Sequence, residues 1–145
     1  MNDPFFTIII PTYERSHLLK ETIDSVLVQS YDSWEAIVVD DGSPTRQTAA
    51  RLGIHSQKIR WIRQENSGPA LARQRGVELA RGQYLCFLDD DDLFLPNHLA
   101  TLYQSISAHT SNDLIFKTGI IHRTAGKPDK YCPLYPQEVV PLLAH

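Results

Sequence analysis

Cysteine, an excess of either charge sign and long apolar runs are all scarce in this 145-residue chain. Only two cysteines occur, Cys86 and Cys132. That is too few for a disulfide framework in a domain of this size and points to a reducing cytoplasm. Cys86 sits inside the apolar run YLCFL and reads as a small buried hydrophobe; Cys132 stands in a Pro- and Tyr-rich tail. The formal net charge is -3 and the arginines are scattered, so nothing global suggests a nucleic-acid partner. No apolar stretch approaches the ~20 residues a membrane-spanning helix needs. The opening MNDPFF lacks the basic-then-apolar order of a signal peptide. Also missing are a Gly-x-Gly-x-x-Gly loop and a Walker-type loop, which excludes the backbone phosphate cradles of dinucleotide oxidoreductases and P-loop NTPases. The six histidines, His109 and His122 among them, show no metal-ligand spacing.

What is present is ordinary globular material, with 42% hydrophobic and 21% charged residues in a length that suits one domain. Short β-branched runs alternate with helical ones. FFTIII (residues 5–10) is a strand ending at Pro11. A helix follows from Ser16, its plausible cap, to about Ser30, with Leu19, Ile23, Val26 and Leu27 on one face. WEAIVVDD is a second strand, and TRQTAARLG a short helix stopped by Gly53. IRWIRQ alternates as a strand near an edge would. GPALARQRGVELARG is a helix with a small-residue stripe at Ala72, Gly76, Leu79 and Ala80. QYLCFLD reads as a fourth strand buried on both faces. Pro96 opens a helix carrying Leu99, Leu102 and Ile106. Residues 113–123 make a fifth strand or hairpin arm, and a loop and tail follow from 124 to 145. The implied fold is α/β, a Rossmann-like, mostly parallel sheet flanked by helices with right-handed crossovers.

In such sheets ligands bind outside the carboxyl ends of the strands. The first strand delivers Pro11, Thr12, Tyr13 and Glu14 to that edge. The second delivers Asp40 and Asp41, and the fourth delivers the run Asp89 to Asp92. Two carboxylates about 4 Å apart repel by roughly 4 kcal/mol at an effective dielectric near 20, so either water screens them or a positive group belongs among them. Spaced carboxylates suit a hard cation, Mg²⁺ or Mn²⁺, shared with a diphosphate. The competing reading is that acids favour the N-terminus of the next helix, which accounts for Asp92 but does not require four. VVDDGS is equally open: an ordinary Asx-turn needs one aspartate, while a second carboxylate could accept a nucleobase N–H. Arg73, one turn into its helix, is within reach of the acidic edge, where it could support a ligand or neutralise an aspartate. Arg75 reads as solvated.

Taken together, FTIIIPTYER, VVDDGS, NSGPALARQRG and YLCFLDDDDLFLP, in this order and spacing, resemble the nucleotide-binding half of family-2 glycosyltransferases of the GT-A fold. The resemblance covers about residues 5 to 105. It implies that Pro11 and Tyr13 flank the nucleobase, with Thr12 and Glu14 beside them, and that Asp41 bonds a uracil-type base. Arg73 lines the nucleotide pocket, Asp89 and Asp91 form the metal-binding Asp-x-Asp motif with Asp91 the direct ligand, and Asp90 faces the ribose. The implied domain is a nucleotide-diphospho-sugar-binding unit over 1–123, with 124–145 beginning an acceptor region that is missing or incomplete, so the GT-A unit is truncated.

The implied reaction takes a nucleotide-diphospho-sugar, a UDP-sugar first among them, with Mg²⁺ or Mn²⁺, and transfers the sugar to an acceptor hydroxyl with inversion. No catalytic base is found: Asp129 and Glu138 are isolated and read as solvated. The chain reads as a fragment, a natural short form or a subunit completed by a partner, and a homo-oligomer or a completing subunit is among the expected partners. Two alternatives remain, a nucleotide-sugar binding module without turnover and a metal-dependent phosphotransfer domain. The second is disfavoured because acid pairs would be expected after the first strand.

Overall fold

The β-branched content of Phe6–Thr12, with three consecutive isoleucines, makes a strand that can be buried on both faces, and in the computed structural model all seven residues are buried. The structure describes residues 3–108 together with strands at 120–122 and 130–132. In chain order the elements are β1 (Phe6–Thr12), α1 (Ser16–Leu27), β2 (Trp34–Asp40), α2 (Ala49–Leu52) and β3 (Ile59–Arg63). They continue with α3 (Pro69–Leu79), β4 (Tyr84–Phe87), α4 (His98–Ala108), β5 (Ile120–His122) and β6 (Lys130–Cys132).

The four larger strands form a parallel sheet in the order β3-β2-β1-β4. One face carries Phe6, Ile8, Ile10, Ala36 and Val38, covered by Leu19, Ile23 and Val26 of α1 and by Leu99, Leu102 and Ile106 of α4. The α4 stripe is the one expected from the sequence; in α1 the expected face holds at Leu19, Ile23 and Val26, while Leu27, at the helix end, is exposed. On the other face α3 lies over Ile37 and Val39. Gly76 lets it close in, since a Cβ there would stand 2.4 Å from Ile9 Cγ2. Burying each of these large aliphatic side chains contributes about 1.5–3 kcal/mol, so the three-layer core rests on the central β1–β2 pair.

The chain moves outward from β1 through β2 to β3, then crosses back to place β4 on β1's other side. That reversal creates a topological switch point at the carboxyl ends of β1 and β4.

Several local expectations need correction. Ser16 is the first helical residue of α1, not its cap; Arg15 holds the cap position, with no side-chain cap hydrogen bond. The turn closes one residue early because Glu14 takes a positive φ of 57° and its N–H donates to Ser43 Oγ at 3.0 Å. The second helix starts at Ala49 rather than near Thr45, because the Gln47 N–H is held by Asp40 Oδ2 at 3.0 Å and Thr48 caps Arg51 N. Pro96 precedes α4, which starts at His98.

β4 is not buried on both faces. It is an edge strand among the described residues, and Leu85 and Phe87 are 41% and 52% exposed. An apolar run cannot by itself distinguish a central strand from an edge that another segment covers. Of the expected fifth strand only Ile120–His122 is described; it pairs antiparallel with Lys130–Cys132, so a strand interrupts the region expected to be a loop. The rest of 109–145 lies outside the described residues.

Candidate functional site

At the switch point a cavity of about 410 Å³ opens between the ends of β1, β2 and β4 and the start of α3. Its walls are built by the turns that end the strands. Backbone strain and side-chain caps in those turns decide which acids face inward.

The Asp40–Asp41 pair divides sharply. Asp40 is 1% exposed, and its carboxylate accepts Ser43 N at 2.9 Å, Gln47 N at 3.0 Å and the Arg63 guanidinium at 2.8 Å. It is the Asx-turn acid. Asp41 turns the other way and lines the cavity. Its Oδ1 accepts Gln64 Nε2 at 2.7 Å and Ser67 N at 3.0 Å, and its Oδ2 accepts Gly68 N at 2.8 Å. A carboxylate has about four acceptor sites, so Oδ2 keeps capacity for one further donor. Gly42 makes this approach possible: its φ is 78°, and a Cβ would stand 2.7 Å from Asn66 N.

The aspartate run is held by two arginines. Arg73 reaches Asp89 Oδ1 at 2.5 Å. Arg15 Nη1 stands 2.7 Å from Asp91 Oδ2 and 3.3 Å from Asp90 Oδ1. The aspartates can therefore sit together because guanidinium groups neutralise them in pairs. Asp90 is buried and also accepts Thr12 Oγ1 at 2.7 Å, tying β4's end to β1's. Burial raises the Asp90 pKa above the ordinary value, and Asp91 adds to the rise, against the lowering effects of Thr12, Arg15 and the Tyr13 backbone. Asp92 is elsewhere: its carbonyl accepts Thr22 Oγ1 at 2.8 Å, and burial, with Asp91 and Asp89 nearby, raises its pKa.

Of the residues singled out in the sequence, Pro11, Thr12, Tyr13, Asp41, Arg73, Asp89, Asp90 and Asp91 all line this one cavity. Tyr13 is 42% exposed, its ring open to a ligand. Glu14 is exposed and is not part of the wall. Sequence reasoning missed Arg15, although a cation directly after the first strand's turn, facing an acidic edge, was a readable signal.

Four lining carboxylates against two guanidiniums leave a formal charge of -2, which a divalent cation would neutralise. No group of three His, Cys, Asp or Glu side chains among the described residues could hold a metal unaided. The donor set fits a different arrangement. Asp89 and Asp91 have half-exposed carboxylates at the rim, and Mg²⁺ commonly takes one or two carboxylates with the rest of its shell from phosphate and water.

Comparison with known proteins agrees with this geometry. The model of the family described as glycosyl transferase family 2 matches residues 7–126. A Rickettsia conorii protein named as an uncharacterized glycosyltransferase, RC0461, is 34% identical over 125 residues, covering 85% of this chain and 20% of the relative. WfgD of Escherichia coli, a UDP-Glc:alpha-D-GlcNAc-diphosphoundecaprenol beta-1,3-glucosyltransferase, is 33% identical over 120 residues, covering 82% of this chain and 46% of its own. Among solved structures, S. aureus TarS 1-349 in complex with UDP-GlcNAc superposes with a TM-score of 0.71 at 28% identity, covering 85% of this chain and 36% of that one. The likeness to TarS bears out the α/β reading of the GT-A type. The chain spans less than half the length of each of these three proteins.

Proposed function

The chain belongs to glycosyltransferase family 2, and from that premise we propose that residues 1–123 form the donor-binding unit of a nucleotide-sugar glycosyltransferase, with 124–145 leading toward the acceptor-binding part. The donor is a nucleoside-diphosphate sugar, a UDP-sugar foremost. The observation that carries this reading is the convergence of Tyr13, Asp41, Arg73 and the carboxylates of Asp89 and Asp91 on one cavity at the switch point.

Each side chain has a role that its geometry supports. Tyr13 offers an exposed ring for stacking a base, with Pro11 and Thr12 shaping the floor beneath it. The remaining lone pair on Asp41 Oδ2 accepts a base N–H; a uracil-type ring has one to give. Asp90, buried and braced by Thr12, fixes the strand-end turn next to the ribose position. Arg73 turns its guanidinium between Asp89 and the donor's phosphates. Asp89 and Asp91 would hold Mg²⁺ or Mn²⁺. When bound, such an ion supplies charge stabilisation for the departing diphosphate. The acceptor hydroxyl then displaces the diphosphate with inversion, its proton taken by a base from the acceptor part.

Calorimetric titration of UDP with Mn²⁺ and with EDTA tests this reading. Binding with metal and its loss in EDTA is the expected result; equal affinity in both would overturn the metal bridge. A second reading, donor binding without turnover, needs only the cavity described above. Donor hydrolysis or transfer across an acceptor panel separates the two, since a pure binder gives no released UDP under any condition.

A further inference from the structure

We propose that Arg15 stands in for the metal at Asp91 and is handed over to the donor's diphosphate when the metal arrives. The idea rests on the donor-binding reading above, and it gives a specific task to a residue that reading leaves without one. Arg15 is then a donor-binding residue with two successive partners.

The geometry of its contacts carries the inference. Nη1 alone makes both carboxylate contacts, at 2.7 Å to Asp91 Oδ2 and 3.3 Å to Asp90 Oδ1. A guanidinium has five N–H donors, so the fork is far from exhausted by them. The two contacts also differ in permanence. Asp90 is buried, its side chain 8% exposed and braced by Thr12, so it cannot swing away. Asp91 and Arg15 are each about half exposed, at 46% and 51%, so water can replace their contact cheaply. Arg15 can release Asp91 while staying anchored on Asp90.

Charge then favours a rearrangement. A divalent ion on the Asp91 carboxylate repels a guanidinium held at hydrogen-bond distance from it, which weakens the half-exposed Arg15–Asp91 contact. When the ion takes Asp91, the freed Arg15 fork faces the same cavity into which the donor's diphosphate must come. Guanidinium and phosphate pair bidentately, which gives Arg15 a better partner than the one it lost. Metal and diphosphate therefore bind cooperatively. The metal alone competes with Arg15, whereas metal with diphosphate recruits it.

The two roles predict effects of opposite sign in one variant. In Arg15→Gln, Mn²⁺ alone, followed by the electron paramagnetic resonance signal of the free ion, should bind about two- to fivefold tighter, since no ion pair opposes it. UDP at saturating Mn²⁺, followed by calorimetry, should bind about tenfold weaker, since the charge-assisted contact is gone. Arg15→Lys, which keeps the charge without the fork, should fall between wild type and Arg15→Gln in both titrations. It serves as the reading if Arg15→Gln does not fold. Weaker binding in both titrations would overturn the proposal in favour of a scaffold role, and so would an unchanged UDP affinity or no gain in Mn²⁺ affinity. Failure of the donor-binding reading is distinguishable, because wild type would then fail to bind UDP with Mn²⁺ before any variant is compared, and the exchange would fall with it.

Discussion

Asp40 and Asp91 differ in what surrounds them, and a substitution at each should report that difference. Asp40 satisfies two backbone N–H groups and the Arg63 guanidinium at a buried turn. Asp40→Ala leaves those donors unpaired and should destabilise the fold by about 3 kcal/mol, read from urea denaturation. Asp91 is half exposed, and its carboxylate pairs with the Arg15 guanidinium. Asp91→Ala should therefore keep stability within about 0.5 kcal/mol of wild type while abolishing metal-dependent UDP binding. A large stability loss at Asp91 would mean the acid is structural. The same contrast shows what the sequence could and could not reveal. Two adjacent aspartates after a strand read as one turn acid and one functional acid, but which carboxylate faces the cavity depends on the turn's dihedral angles. The place of Arg15 after the first turn was readable, but its pairing was not, because its partners lie 75 and 76 positions away.

At the scale of elements, the amino ends of the strands are bolted together opposite the site. Glu35 on β2 accepts Thr7 Oγ1 of β1 at 2.9 Å and the Arg81 guanidinium at 2.6 Å, with Arg60 of β3 at 3.4 Å. Burial would raise its pKa, but the hydrogen bonds from Arg81 and Thr7 and the charge of Arg60 outweigh it and hold the carboxyl below the usual value. A folded pKa below the unfolded one means this stabilisation is present above the unfolded value and is lost as pH falls through the folded one. Glu35→Gln should flatten the acid limb of a stability–pH curve; an unchanged limb would contradict that role.

His98, stacked on Phe94 at 4.0 Å, adds a separate loss at higher pH. Burial lowers its pKa from 6.5 to about 4. It folds neutral, so stability falls as pH drops from the unfolded value through the folded one, and His98→Phe should remove that slope. The helix–sheet contact at Gly76 is equally specific. Gly76→Ala places a Cβ against Ile9 and should cost about 1–3 kcal/mol, read from a thermal or urea melt. The apolar stripes of α1 and α4 were legible because their period matches a helix. β4's edge position was not, since strand order depends on crossovers that no local pattern encodes.

For the whole molecule, the order β3-β2-β1-β4 is what gathers the chemistry. A reversal between β1 and β4 leaves a crevice, and the acids and arginines at those strand ends give it a net negative charge that a divalent ion would offset. The alternation of strands and helices made the layered fold readable, and the carboxyl-edge rule pointed to the strand ends where the candidate cavity opens. The direct test is a crystal of the chain grown with UDP and Mn²⁺, measured for anomalous scattering from manganese. The expected result is one strong peak between the Asp89 and Asp91 carboxylates and the diphosphate, with the base beside Tyr13 and Asp41. UDP seated in that cavity with no manganese peak beside the two aspartates would contradict the account.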